Sequence, residues 1–476
     1  TRAALDELPA AEALFAELRK QYPDHYLAEW AVARQAACLI SAQRFKEAVI
    51  GVAFALPWLI RLFAMHLYPI ISAFRYSLTQ YSIISPPIWI GLDNYTYALT
   101  EDRRLRNAID DDTVLFLGYR PAETVGYSQC LEAIAPHYRE ARASAAERNR
   151  RAAGPWRWGA GLAGMWYRFG KSGPISSEAH AELGRDGGIT VYCSAPDYGQ
   201  GTTTVMAQLA AEALGLPRDC LAVVNGDTLR TPDSGIQGAS RSTYWVGGAV
   251  AHAAVALRDQ VLGTAAEMLN RDPARLELRP GEVVAPGGDR LSLAAVAAEM
   301  ERIGLSRRLR GIFAPQLGPD FGQETRPEYL PFFVTGAHVA QVEVNLETGQ
   351  VRVDSLVAAH DVGRAINPQG LKGQVEGAVV MSLGLALMEE VLPGTTRGLN
   401  DYYLPTARCA PEITVIPVEV PSRWGPYGAK GLGEAAMLPT APAVLNAIAR
   451  AAGVRIRQLP ASPPRLLEAL QRKSGA

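Results

Sequence analysis

Cysteine is scarce in this 476-residue chain, and the few cysteines are scattered. Five occur, at Cys38, Cys130, Cys193, Cys220 and Cys409. An iron–sulfur cluster needs several cysteines at close spacing, and a disulfide framework is typical of short secreted chains with paired cysteines. We therefore expect reduced thiols and no iron–sulfur cluster within this chain.

An excess of charge of one sign is also missing. Lys and Arg number 47 against 48 Asp and Glu, which gives a formal net charge of −1. Nucleic-acid-binding proteins carry basic patches or stripes, whereas the Arg-rich stretch from Glu140 to Arg151 mixes both signs, as a solvated helix does. We predict no nucleic-acid partner.

Long apolar runs are missing except for one, from Ala48 to about Leu78, which Arg61 and His66 interrupt. This run is just long enough to span a bilayer, although a charge near its middle is costly in lipid. It begins too far from the N-terminus for a cleaved signal peptide. The sequence predicts a cytoplasmic location, with membrane contact through 48–78 as an open alternative.

Glycine is abundant in a loop near the C-terminus, from Gly425 to Glu434 (GPYGAKGLGE). Glycines let a backbone pass close to a bound group and adopt positive φ. Glu434 ends the loop and precedes apolar residues, so we expect desolvation to raise its pKa, as a general base requires. A lone Glu after such a loop is also typical of an ordinary surface loop.

Three further loops combine glycine with polar side chains ahead of a helical pattern. The first offers the amide of Gln200 and free backbone N–H groups at a helix N-terminus, a setting suited to an anion or an oxo group. The second offers small residues and hydroxyls, which suit phosphate or a flat ring system. The loops are 197–202 (DYGQGT), 235–242 (GIQGASRS) and 367–377 (NPQGLKGQVEG).

Each of these loops also has a simpler interpretation. Gln200 is equally typical of a neighbour of a helix N-cap, and Ser240 and Ser242 are typical helix caps, because hydroxyls satisfy the free N–H groups at helix starts. Gln374 is equally typical of a solvated amide on the first turn of a helix. The residues alone leave both interpretations open.

Strand and helix patterns alternate through the second half of the chain. A hairpin is predicted about Glu347-Thr348-Gly349, whose residues suit a turn. We expect an α+β fold of mixed sheets with helices packed outside. The predicted strands are 189–193, 221–225, 340–346, 350–356 and 413–420, and the predicted helices follow Gly201 and span 243–269, 367–388 and 441–452.

Six motifs in register support a family resemblance. They are GQGTTT (199–204), GDT (226–228), GASRSTY (238–244), AHDVGRAINPQGLKGQVEGAVV (359–380), DYYLPTA (401–407) and GPYGAKGLGE (425–434). Taken together, they resemble the molybdenum-binding portion of the molybdenum hydroxylases, the xanthine dehydrogenase and aldehyde oxidase family. The likeness runs from about Gly159 to the C-terminus and predicts a molybdopterin-binding domain over 159–476.

The resemblance implies a cofactor and a reaction. A molybdopterin, with the cytosine dinucleotide form as one option, would hold the molybdenum, so no His or Cys ligand cluster is expected from the protein. The family hydroxylates an aldehyde or an N-heterocycle with oxygen from water. Because this chain has no grouped cysteines, the iron–sulfur clusters and FAD would lie on partner subunits.

The resemblance also implies roles for individual residues. Glu434 falls at the position of the catalytic base, and Gln200 would approach the apical oxo ligand or the pterin. Gln374 would hydrogen-bond the pterin. The other residues implied to contact the cofactor, by backbone or hydroxyl, are Gly199, Gly201, Gly238, Ala239, Ser240 and Ser242.

The sequence departs from the family in its first part. Upstream of about Asp111 the likeness is absent, and we find no counterpart of the family's Phe-Gly-Gly loop or of its Arg-Gly-Phe-Gly segment. The region 111–158 is predicted to be a linker with helices. Met381 stands where relatives often carry a glutamine.

Two short pieces make up the remainder. Residues 1–47 weakly resemble a tetratricopeptide-like helical hairpin, and 48–107 resemble the first span and loop of an ABC-type sugar permease, giving a predicted apolar helix and loop over 48–110. The alternative to a hydroxylase is therefore a non-catalytic chimeric or truncated remnant of such a subunit, tethered to a membrane.

Overall fold

The computed structural model describes residues 79–82, 85–89, 124–170, 176–315 and 332–474. The chain divides into two units, Thr1–Asp102 and Arg103–Ala476. In the first unit, β1 (Thr79–Ser82) pairs antiparallel with β2 (Ser85–Trp89), within the segment predicted to be a helix and loop. The predicted hairpin of 1–47 and the apolar run of 48–78 lie outside the described residues.

The second unit alternates strands and helices. Seven α-helices of eight or more residues occur in its described part, together with eleven strands. In chain order they are α1 (Tyr127–Arg151), β3 (Trp156–Arg168), β4 (Ser177–Leu183), β5 (Ile189–Cys193), α2 (Thr202–Leu214), β6 (Leu221–Asn225), α3 (Gly247–Leu269), β7 (Glu277–Arg279), β8 (Glu282–Val284), β9 (Arg290–Ser292), α4 (Leu293–Arg302), β10 (Arg308–Phe313), β11 (Phe333–Asn345), β12 (Val351–Asp361), α5 (Pro368–Leu387), β13 (Glu412–Val418), α6 (Thr440–Ala452) and α7 (Pro463–Ser474).

The first main sheet has the strand order β10-β4-β5-β6, with β5 and β6 parallel and the other neighbours antiparallel. Residues of β4 alternate between buried and partly exposed, as expected for a strand with one face on a core. Helix α3 covers this sheet and packs closely on β10, because Gly311 lies against the α3 backbone at Ala249 and Ala253.

The second main sheet has the order β13-β12-β11-β3, with β12 and β13 parallel. Helix α6 packs on one face, where Gly159 and Gly161 of β3 meet its backbone. Helix α1 packs on the other face, where Gly164 meets the Tyr127 ring. Helix α5 lies beside α6, and a second hydrophobic core fills the space between these two helices and the sheet.

The predicted α+β class with mixed sheets is confirmed. The predicted hairpin is present as β11 and β12, and Gly349 has a φ of +70° in its turn. A third sheet, of β7, β8 and β9, was not predicted. Helix α1 lies within the region predicted to be linker and helices, and the boundary at 158/159 stays a prediction. Within the described ranges, no helix combines the length and apolar character that a membrane crossing requires.

Candidate functional site

The glycine-containing loops meet around one cavity of about 750 Å³. Four segments form its walls: 198–205, 237–243, 362–381 and 429–434. Gly201 and Ala239 are not part of the lining, although each lies next to a lining residue. The residues singled out from the sequence that do line it are Gly199, Gln200, Gly238, Ser240, Ser242, Gln374 and Glu434.

Two consecutive residues of the loop 235–242 adopt left-handed backbone. Ala239 and Ser240 both have a φ of +54°, which is uncommon for residues other than glycine and costs about 1–3 kcal/mol each when sustained. Neighbouring segments hold them there, since the Gly170 N–H donates to the Ala239 carbonyl at 2.6 Å and the Glu434 N–H donates to the Ser240 hydroxyl at 2.9 Å. This conformation turns the Ala239 N–H toward Glu434.

Both oxygens of the Glu434 carboxylate accept a hydrogen bond. The Ala239 N–H donates to Oε1 at 3.0 Å, and the Tyr167 hydroxyl, at the end of β3, donates to Oε2. Burial raises the pKa of the Tyr167 hydroxyl, and the bond to Glu434 raises it further. Tyr167 therefore keeps its proton and acts as a donor throughout the physiological pH range.

The expected desolvation of Glu434 is wrong for this structure. Its side chain is exposed at the cavity wall. The apolar residues that follow do not cover it, because Ala435 and Ala436 turn away into the core as part of a short 3-10 turn. Leu438, one turn later, is itself 43% exposed.

The expectation of free N–H groups at the α2 N-terminus is also wrong. The Asp197 carboxylate accepts from the backbone N–H groups of Gly199, Gly201 and Thr203 at 3.0–3.1 Å. These bonds, led by the one from Thr203, lower the pKa of Asp197, so a carboxylate already occupies this helix start.

The amide of Gln200 is used within its own loop. Its Nε2 donates to the Pro196 carbonyl at 2.8 Å and to the Thr202 hydroxyl at 2.7 Å, while its Oε1 accepts from the Tyr198 N–H. Gln200 lines the cavity, but both of its Nε2 hydrogens are used, so donation from its amide to a ligand requires the exchange of one of these bonds.

The capping interpretation does not hold for Ser240 or Ser242. The Ser240 hydroxyl accepts from the Glu434 N–H, and the Ser242 hydroxyl donates to Gln237 Oε1 at 2.7 Å. Ser242 begins a π-helical turn, Ser242–Val246, that leads into α3 without a side-chain cap. Both hydroxyls therefore bind to other parts of the cavity wall.

Several polar side chains in the wall have no hydrogen-bond partner in the described part of the chain. Gln374, in α5, is among them, although its side chain faces the cavity. Arg364 is another, and it lines both this cavity and an adjoining one of about 520 Å³. Sequence reasoning missed Arg364, although the GRAIN motif (363–367) contains it, and it also missed Tyr167. Met381 lines the cavity and is 59% exposed.

A buried ion pair fixes the loop that carries Glu434. Lys430 Nζ lies 2.7 Å from Asp361 Oδ2 at the end of β12, and both side chains are completely buried. The Gly126 N–H also donates to Asp361, at 3.0 Å, and Lys430 donates to the Thr124 carbonyl. Burial raises the pKa of Asp361, and Lys430 opposes that rise. The glycine-rich loop is thus tied to the sheet and to the chain before α1.

The cavity suits an organic cofactor better than a bare metal ion. Among the residues that the structure describes, no group of three or more His, Cys, Asp or Glu could hold a metal. The wall instead offers unpartnered donors from Gln374 and Arg364, and open space stands where side chains at Gly199 and Gly238 would be. A flat cofactor that brings its own metal ligands fits this set of donors.

Comparison with known families decides the assignment. The family model described as the molybdopterin cofactor-binding domain matches residues 131–411, which is more than half of the chain. The chain belongs to this family. The predicted membership in the xanthine dehydrogenase and aldehyde oxidase family, through its molybdenum-binding portion, is confirmed.

Curated relatives of this molybdopterin-binding chain are much longer proteins. It is 35% identical over 300 residues to the 6-hydroxypseudooxynicotine dehydrogenase complex subunit gamma of Paenarthrobacter nicotinovorans, a match that covers 61% of the chain and 37% of the relative. It is 30% identical over 381 residues to the putative xanthine dehydrogenase molybdenum-binding subunit of Escherichia coli, covering 77% and 48%. The chain thus spans between about a third and a half of these relatives.

Solved structures share the fold of the family member described here. The aldehyde oxidoreductase from Desulfovibrio desulfuricans superposes with a TM-score of 0.63 at 29% identity, covering 74% of this chain and 36% of that one. Quinoline 2-oxidoreductase from Pseudomonas putida superposes with a TM-score of 0.64 at 26% identity, covering 75% and 47%.

Proposed function

We propose that this chain forms the cofactor-binding part of a molybdenum hydroxylase that oxidises an aldehyde or an N-heterocycle with oxygen from water. The observation that carries the proposal is the Glu434 carboxylate, held by two hydrogen bonds at the wall of the cavity. Membership in the molybdopterin-binding family supports it. So do the relatives named as dehydrogenases and oxidoreductases.

In this proposal Glu434 is the general base. An exposed carboxylate in a cavity can accept a proton from a water-derived group without a prior conformational change, and a positioned base contributes about 10²–10⁴-fold to a rate. Its two donors fix the plane of the carboxylate. The bound cofactor supplies the two-electron redox centre and its own metal ligands.

The remaining wall residues would bind the cofactor. Gln374 would pair with the pterin through its free amide, and Gln200 would do so after exchanging its bond to Pro196 or Thr202. Backbone groups would approach the ring system where side chains are absent. The residues proposed to contact the cofactor are Gly199, Gln200, Gly201, Gly238, Ala239, Ser240, Ser242 and Gln374.

The adjoining cavity favours the cytosine dinucleotide form of the cofactor. Arg364 lies between the two cavities and would bind a phosphate group there. Gln208 also lines the second cavity, and its buried Oε1 has no hydrogen-bond partner within the described chain. An exocyclic amino group, such as cytosine carries, would satisfy that acceptor.

Hydrolysis of the extracted cofactor tests its form. We expect acid treatment of the purified protein to release cytidine monophosphate in an amount equal to its molybdenum. Release of pterin without a nucleotide would contradict the dinucleotide form and leave the base assignment standing.

The partners and the location are also proposals. Electrons would leave through iron–sulfur and flavin subunits, because the cysteines of this chain are scattered. The relative named as a subunit of a dehydrogenase complex supports this arrangement. A cytoplasmic location is proposed as well, and contact of 48–78 with a membrane stays a prediction outside the described residues.

The variant Glu434→Gln tests the base. We expect it to retain molybdenum and pterin, while turnover of aldehyde or heterocycle by the complex with its redox subunits falls by at least about 10²-fold. The matched control is Glu347→Gln, which changes an exposed Glu in the turn between β11 and β12. Full activity in Glu434→Gln would exclude the base role. A wild-type chain without molybdenum and pterin would instead favour the non-catalytic remnant.

A further inference from the structure

We infer that Tyr167 is a positioning residue for Glu434, which orients the carboxylate from the end of a strand. The inference rests on the proposed role of Glu434 as the base. Tyr167 lies outside the sequence motifs that support the family resemblance, and its hydroxyl reaches the carboxylate from a different segment of the chain than the loops that form the cavity wall.

The geometry fixes the carboxylate at two points. Oε2 accepts from Tyr167 and Oε1 from the Ala239 N–H, so rotation of the carboxylate about its terminal bond would break both bonds. A Glu side chain otherwise has considerable rotational freedom, which is unfavourable for a base that must meet its substrate in one orientation.

Tyr167 itself lies on a rigid element. It belongs to β3, where it pairs with Val334 of β11, and β11 is in turn paired with β12. The exposed carboxylate on a glycine-rich loop is thereby tied to the second main sheet. Sites supported by strands are held more precisely than sites supported by loops alone.

Loss of the hydroxyl should act on the chemical step rather than on binding. A base that is no longer held in one orientation slows proton transfer, whereas the cavity and its wall residues stay in place. We therefore expect kcat to fall while KM stays close to its wild-type value.

Other charged groups near the carboxylate come from the three segments around it. Arg168 follows Tyr167 on β3. Its charge lowers the pKa of the Tyr167 hydroxyl, but burial and the hydrogen bond to Glu434 raise that pKa by more. Arg241 follows Ser240, but it is buried and donates to the Ser234 and Ile236 carbonyls. Lys430, on the Glu434 loop, is paired with Asp361. Tyr167 is therefore the ionisable side chain that bonds Glu434 directly.

A spectroscopic measurement tests the contact without any assay of activity. In protein labelled with ¹³C at tyrosine Cζ, the Tyr167 resonance should move between wild type and Glu434→Gln, because a neutral amide replaces the carboxylate that accepts its hydrogen bond. The Glu347→Gln control should leave that resonance in place. An unmoved Tyr167 resonance in Glu434→Gln would overturn the inference, whatever the role of Glu434.

The variant Tyr167→Phe tests the consequence in the complete enzyme complex. It keeps the ring and removes the hydroxyl. We expect kcat to fall about 10-fold with KM unchanged, the size expected for one hydrogen bond to a charged group. Added to Glu434→Gln, it should cause no further loss.

The matched control is Tyr402→Phe. The Tyr402 hydroxyl donates to Glu389 at 2.6 Å, and neither residue lines the cavity. It should leave kcat and KM unchanged. An equal fall of kcat in both variants, or none in Tyr167→Phe, would overturn the positioning role. If Glu434→Gln kept full activity while the Tyr167 resonance moved, the proposed base would fail and the contact would stand.

Discussion

Asp361 and Lys430 form an ion pair with no solvent exposure, and their surroundings explain how such a pair is tolerated. The carboxylate also accepts from the backbone N–H groups of Gly126 and Gly363, and the ammonium also donates to the Thr124 carbonyl. Burial of a charge is costly unless hydrogen bonds and an opposite charge compensate for it. Loss of one partner should therefore cost more than loss of both.

The variant Lys430→Met should destabilise the protein by about 3–5 kcal/mol, because it leaves the Asp361 carboxylate buried without its cation. Urea unfolding of the purified chain measures this loss. The control Lys372→Met removes an exposed i,i+4 pair with Glu376 and should change stability by less than about 1 kcal/mol. A similar, small change in both variants would show that the buried pair contributes little.

At the scale of single residues, the sequence predicted the members of the site better than their contacts. Gln200 and Glu434 were found because glycine-rich loops before helices are visible as local patterns. The partner that holds Glu434 was missed, since Tyr167 is 267 positions away in the chain and its own neighbourhood is an ordinary apolar strand. The bond from the Thr203 N–H, at the start of α2, to Asp197 was missed as well, because Asp197 precedes the N-cap residue Gly201 by four positions.

The packing of α6 on β3 depends on glycine at the contact. A Cβ added at Gly161 would overlap the Ala443 carbonyl oxygen and the Ala447 amide nitrogen, both of which belong to the helix backbone. Backbone atoms in a paired strand and a helix cannot move aside as the end of a flexible side chain can. The close approach of these two elements therefore requires glycine.

We expect Gly161→Ala to destabilise the protein by about 1–3 kcal/mol, the usual cost of overpacking a core. The midpoint of urea unfolding would report the loss. Gly154→Ala is the matched control, because an added Cβ there meets nothing within 4 Å, and it should alter stability by no more than about 0.5 kcal/mol. A loss of equal size in the control would mean that helix packing is not the cause.

At the scale of elements, the strands and helices that could be predicted are those whose buried residues repeat with a recognisable period. The strands Ile189–Cys193 and Leu221–Asn225 occur as predicted, and the helix predicted over 441–452 begins one residue earlier. β3 was missed because its central residues are buried on both faces, which removes the alternation that identifies a strand. β7, β8 and β9 have three residues each, too few for any period to be seen.

Two buried histidines make the whole molecule sensitive to acid. His338 Nε2 lies 2.7 Å from His360 Nε2, and His338 Nδ1 lies 2.8 Å from the Thr440 hydroxyl. Burial lowers the pKa of His360 to about 3, and burial together with His360 lowers the pKa of His338. Both rings are therefore neutral in the folded protein, whereas in the unfolded chain they titrate near pH 6.5.

This difference sets the sign of the pH effect. Below about pH 6.5 the unfolded chain binds protons at these two histidines that the folded chain does not bind. The free energy of unfolding is therefore highest above that pH, and it decreases as the pH falls toward the folded pKa of His360. We expect the free energy of unfolding to drop by about 3–4 kcal/mol between pH 7.5 and pH 5 from these two groups. Urea unfolding at both pH values measures the drop.

The double variant His338→Gln/His360→Gln should lose much less stability over the same pH interval. Asp361, whose pKa burial raises, acts in the opposite sense but equally in both proteins. The control His137→Gln alters a histidine of α1 outside the buried pair and should keep the wild-type pH dependence. A double variant that keeps the full drop would show that other groups cause it.

The cavity lies where two hydrophobic cores meet. Leu432 is part of its wall and packs against both cores. β3 likewise crosses from one core, at Ala163, to the other, at Met165. A chain in which only one half has folded would hold some of the wall segments but not the full enclosure. We therefore expect tight retention of a pterin only once both cores have formed.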